Sequence, residues 1–133
     1  MKPPFWLITT CMVAVGGAVG ALGRYWLSES IHYFFDRQFP IAILSVNVLG
    51  SLLMGFLSVL IVDNMQHDVA LRGFVLIGFL GAFTTFSTFS LDTIKLFEQG
   101  HYNTALLNIG MSVILCLLAA AVGLWLGKTF FIA

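Results

Sequence analysis

Charge is what this chain has least of. Its 133 residues include six Lys and Arg and six Asp and Glu, 9% charged against 59% hydrophobic, with a formal net charge of zero. Soluble domains carry about 25% charged residues. The scarcity excludes an ordinary water-soluble globule, and the lack of basic excess removes the electrostatic footprint of a nucleic-acid binder. Cysteine is nearly as scarce. Cys11 and Cys116 stand apart, with no CxxC or Cys/His spacing, so they read as small buried apolar residues rather than zinc ligands. The sequence contains no GxxxxGK[ST] phosphate loop, and no nucleophile–base pair or metal cluster points to an enzyme.

What the chain does have is apolar length. Mean hydropathy is +1.00. Four hydrophobic segments, about 5–27, 41–62, 71–97 and 105–126, each approach or exceed the ~20 residues that a bilayer-crossing helix needs. The expected fold is therefore an all-α membrane protein, one domain of four transmembrane helices. The connections, 28–40, 63–70 and 98–104, are short and polar. Trp6, Trp26, Tyr33, Tyr102 and Trp125 gather toward segment ends, as an interfacial belt does. Lys2 followed by an apolar run with small residues also fits a signal peptide. The run is long for that, and Gly16-Gly17-Ala18-Val19-Gly20-Ala21 reads equally as a close-packing helix face. Four spans put both termini and the second loop on one side. That side holds Lys2, Arg72 and Lys128, and the other holds Arg24, Arg37 and Lys95. Orientation follows Lys/Arg asymmetry, and here the sides balance. Either a few charges balance by chance, or copies insert both ways and pair antiparallel.

Within the spans the polar residues are neutral. Asp63, Asp68, Asp92 and Glu98 fall at or near span ends, and Glu29 and Asp36 in a loop. Coupled pumps usually carry a membrane-embedded carboxylate, so passive transport is the expectation. His32, His67 and His101 are expected in loops, as solvated groups. Asn47, Ser51 and Gly55 line one face of the second segment, and Asn108, Ser112, Cys116, Ala119 and Gly123 one face of the fourth. Such stripes serve helix packing or a polar pathway. The third segment tips the balance. Gly78-Phe79-Leu80-Gly81-Ala82-Phe83-Thr84-Thr85-Phe86-Ser87-Thr88-Phe89 is rich in poor helix formers, which predicts a break at membrane depth. Lipid tolerates a break only where protein or water surrounds it. Phe83, Phe86 and Phe89, spaced i, i+3, i+6, share a rough face, and aromatic rings have positive edges. With O–H and N–H donors from Ser87, Thr88 and Asn47, the set suits a small, hard anion.

These residues resemble the Fluc/CrcB family of fluoride channels, along essentially the whole chain. The likeness is carried by Gly16 to Tyr25, by Val46-Asn47-Val48-Leu49-Gly50-Ser51, and most specifically by Gly78 to Phe89. It implies a passive fluoride channel of the bacterial inner membrane that exports fluoride and relieves its toxicity. It also implies an antiparallel, dual-topology homodimer with two narrow pores built from both subunits. Phe86 and Phe89 match the phenylalanines whose edges face the ion. Asn47 matches the pore asparagine, Thr88 the neighbouring hydroxyl, Ser112 the fourth-span serine, and Arg24 a vestibule arginine. Backbone carbonyls matching Gly81 and Thr84 imply a structural sodium ion at the dimer centre. The chain departs from the family at Ala42-Ile43, where Gly-Thr is common, and at Asn108, where tyrosine is common. A small dual-topology multidrug exporter and a non-transporting membrane subunit remain as alternatives, although the first segment lacks the exporter's embedded glutamate.

Overall fold

Proline and glycine punctuation sets where the helices start and turn. The structure is a computed structural model and describes residues 4–36, 38–64 and 68–132. Helix α1, Phe5–Phe34, starts directly after Pro4, which has φ −63° and no N–H to leave unsatisfied. It runs past the expected end near residue 27, because nothing between Ser28 and Phe34 is Gly or Pro and Ser30 bonds back to the Trp26 carbonyl at 2.7 Å. The first connection is correspondingly shorter than expected. His32 sits in the last turn of α1 rather than in a loop, with Nδ1 buried. His67, Lys2 and Arg37 lie outside the described residues.

Helix α2, Ile41–Ser58, starts after Pro40 and continues through wider, π-type turns at Val59–Asn64. The third span opens with α3, Val69–Arg72, whose Leu71 N–H donates to Asp68 Oδ1 at 2.8 Å. It widens into π-type turns over Gly73–Leu80, tightens as α4, Gly81–Phe83, and resumes as α5, Phe86–Glu98. Gly100, at φ +80°, then reverses the chain: its N–H reaches the Phe97 carbonyl at 3.0 Å and that of His101 reaches Leu96 at 2.9 Å. Helix α6, Tyr102–Phe131, completes the molecule. Phe5–Phe34, Ile41–Asp63, Val69–Glu98 and Tyr102–Phe131 are each long and apolar enough to cross a membrane.

Helices in lipid gain little from apolar burial, so close backbone approach must hold them. Two seams supply it. Gly20 lies so near the Phe79 backbone that a β-carbon would collide with its carbonyl, and one on Gly78 would come 2.7 Å from the Val13 carbonyl. These contacts bind the first span to the third. Gly55 and Gly123 do the same between the second and fourth spans, where a β-carbon on Gly123 would lie 2.9 Å from the Phe56 nitrogen. The buried apolar centre, Ile61, Leu76 and Leu80, sits where the second and third spans meet. The outer faces, Leu106, Ile114, Leu117 and Trp125 among them, are exposed apolar surface suited to lipid or to another subunit.

Candidate functional site

Between α4 and α5 the backbone is not helical. Thr84 (φ −79°, ψ 156°) and Thr85 (φ −151°, ψ 114°) are extended. The glycines take no part in this: Gly78 and Gly81 are helical, and Gly78 serves packing. Asn47 on α2 stabilises the extended pair. Its Nδ2 donates to the Thr85 carbonyl at 3.0 Å, and its Oδ1 accepts the Thr85 N–H at 2.8 Å. The carboxamide thus pairs with one residue's backbone as a neighbouring strand would, leaving one N–H over.

Thr85 is the hub of the remaining bonds. Its buried Oγ1 accepts the Thr88 N–H at 3.2 Å and caps α5. It also donates to Thr88 Oγ1 at 3.0 Å and lies 3.1 Å from Ser87 Oγ. Because Thr85 supplies a hydrogen to Thr88, Thr88 keeps its own O–H for another acceptor. In an unbroken helix, the N–H groups of Thr85 and Thr88 would serve the carbonyls of Gly81 and Thr84. Here they go to Asn47 and to the Thr85 hydroxyl. The Gly81 and Thr84 oxygens thereby lose the N–H donors that an unbroken helix would give them.

The interruption also re-sorts the phenylalanines. Phe83 does not continue the stripe; it is buried and stacks on Phe79, centroids 5.8 Å apart. Phe86 and Phe89 form a separate tilted pair, 5.3 Å apart at 49°. That pair borders a groove of about 440 Å³, also lined by Asn47, Ser51, Thr84 and Ser112. Phe89 is 8% exposed and Phe86 77%, so the groove is open on the Phe86 side. No Asp, Glu, Lys, Arg or His lines it among the described residues. Five expected residues therefore meet here: Asn47, Thr84, Phe86, Phe89 and Ser112. Thr88 stands one turn into α5, tied to Thr85. Gly81 adjoins through the backbone. Arg24 is half-buried on α1 and does not line the groove among the described residues; its neighbour Gly23 faces the Phe83 ring.

Below the groove the buried polar chain continues. Ser112 Oγ donates to Asn108 Oδ1 at 3.4 Å, Asn108 Nδ2 donates to Thr93 Oγ1 at 2.9 Å, and Thr93 donates to the Phe89 carbonyl at 2.7 Å. Beyond it opens a second, polar cavity of about 530 Å³, bordered by His32, Asp92, Lys95, Gln99, His101 and Thr104. Thr85 and Thr93 were not foreseen as site residues. Both are buried hydroxyls in an apolar span, a signal present in the sequence but hidden by the commonness of threonine at helix ends.

Known proteins are similar to this chain over most of its length. The family described as CrcB-like protein, Camphor Resistance (CrcB), matches residues 11–124. A relative from Magnetococcus marinus is 51% identical over 116 residues, 87% of this chain and 94% of its own length. One from Hydrogenovibrio crunogenus is 42% identical over 127 residues, 96% of each chain. A third, from Methylococcus capsulatus, is 50% identical over 116 residues; the chain spans about half of that protein, 51%. Each of the three is called a fluoride-specific ion channel FluC.

Proposed function

The chain belongs to the CrcB-like family, and we propose on that footing that it is a fluoride-specific passive ion channel. It is a multi-pass protein of the bacterial inner membrane and lets fluoride leave the cytoplasm, relieving its toxicity. Expulsion needs no fuel: a negative interior drives an anion outward with about 2.3 kcal/mol per charge per 100 mV. The observation that carries the reading is the groove that joins Asn47, Phe86, Phe89 and Ser112 within the spans, with no charged side chain lining it among the described residues. Fluoride must lose its water. Ring edges, the spare Asn47 N–H and the Thr88 hydroxyl, joined by the Ser112 hydroxyl when it leaves its long 3.4 Å bond to Asn108, replace that water with donors too weak to trap the ion. The two-residue interruption is, in this reading, the break in the third span that makes those donors available. Chloride is excluded by size. Arg24 draws anions toward the vestibule.

The working unit is an antiparallel, dual-topology homodimer. The open side of the groove and the exposed Phe86 ring support this, since a second copy closes the wall. The balanced Lys and Arg count supports it as well. The released Gly81 and Thr84 carbonyls fit a structural sodium ion at the dimer centre, held by both copies. Such an ion supplies fixed positive charge that steadies the assembly. A multidrug exporter is not favoured, as no carboxylate borders the groove among the described residues.

The test is fluoride efflux from liposomes holding the purified protein, read with a fluoride electrode beside a chloride control. Fast fluoride release without chloride release is expected. Release no faster than from empty liposomes, by a folded protein, leaves the non-transporting subunit as the better account.

A further inference from the structure

The groove and the polar cavity are separated by about two helical turns on α6 and about one on α5. On α6, Ser112 borders the groove, Thr104 borders the cavity, and Asn108 stands midway. On α5, Phe86 and Phe89 border the groove and Asp92 and Leu96 border the cavity, while Thr93, about one turn past Phe89, lines neither and bonds back to the Phe89 carbonyl. Asn108 is 2% exposed and Thr93 5%, and their side chains bond to each other at 2.9 Å. Neutral polar groups buried in a span serve helix packing or a polar pathway, and this pair lies beside both a groove and a cavity.

The direction of each bond follows from chemistry. A carbonyl only accepts, so at 2.7 Å the Thr93 O–H must donate to the Phe89 oxygen. With its hydrogen committed, Thr93 Oγ1 can only accept from Asn108. The amide nitrogen therefore faces Thr93, and the amide oxygen faces Ser112 at 3.4 Å. An anion in the groove thus meets an acceptor, the wrong polarity, at the next step of its path. Turning the amide replaces that oxygen with N–H donors, but the turn breaks the bond to Thr93.

We infer that Thr93 and Asn108 form a conduction gate between the groove and the cavity, with Thr93 as the positioning residue that latches the amide in its anion-repelling orientation. The inference rests on the fluoride-channel reading and adds a rate-setting step to it. One hydrogen bond sets the latch, so its loss accelerates passage by a few-fold, up to about tenfold.

Thr93→Val keeps the shape and removes the acceptor. In purified protein in liposomes, Thr93→Val should release fluoride at least three times faster than the parent, with chloride still retained. Thr93→Ser, which restores the hydroxyl, should return the parent rate. Should the valine variant fail to assemble, Thr93→Ala must show the same acceleration. A parent-like or slower rate in an assembled valine or alanine variant overturns the gate while leaving the channel intact. No fluoride release from the parent overturns the channel reading itself, and the gate with it.

Discussion

At the scale of single residues, function depends on which neighbours the interruption gives each side chain. Phe86 and Phe89 form a tilted pair of their own, set apart by the extended Thr84 and Thr85 from Phe83, which stacks on Phe79 instead. Replacing either ring by isoleucine keeps apolar volume and removes the positive edge. Phe86→Ile and Phe89→Ile are each expected to slow fluoride efflux at least tenfold, with size-exclusion profiles unchanged; parent-like flux would remove the rings from the mechanism. The residue types were visible in advance, as hydroxyls and phenylalanines in the third span and an amide in the second. Their partners were not. Asn47 bonds to Thr85 across 38 positions, which no local pattern reveals. An even spacing placed Phe83 with the other two rings only because it assumed an unbroken helix.

At the scale of elements, the interruption is a pairing event and not simply a weak stretch of helix. The twelve-residue window from Gly78 to Phe89 is rich in poor helix formers, yet most of it is helical and only two residues are extended. The difference lies in Asn47, which supplies what a helix would have supplied to Thr85. Removing the amide should let the third span tend toward a continuous helix. Asn47→Ala is expected to cost about 1–3 kcal/mol, the price of a stranded backbone pair. It is also expected to abolish any stabilisation by sodium, because the Thr85 N–H becomes available to the Gly81 carbonyl. Melting curves in sodium and in a large organic cation measure both; an undiminished sodium effect would separate Asn47 from the carbonyls. Helix ends were harder to read than helix centres. Hydropathy marks the part of α1 that suits lipid, whereas the helix continues to Phe34 because no residue stops it.

At the scale of the whole molecule, one chain has a wall without its opposite. The groove is open beside Phe86, and the outer faces are apolar. If copies pair antiparallel, a C-terminal reporter active on only one side of the membrane should give signal with both inside-only and outside-only versions. Signal from a single version would fix the orientation and leave the groove to some other closure. The four-helix architecture follows from hydropathy alone, but the pairing of spans does not: it depends on which glycines face which backbone. At Gly20, Gly55 and Gly123 a neighbouring carbonyl occupies the place of a β-carbon. This has a consequence for how the sequence can change over generations. Leucine, isoleucine and valine can replace one another with little effect wherever the outer faces meet lipid, because lipid imposes no shape on them. At the seams, even alanine is one atom too many, and no exchange at a single position can make room for it. Lineages of this protein are thus free to drift on the outside and held nearly fixed along two narrow lines.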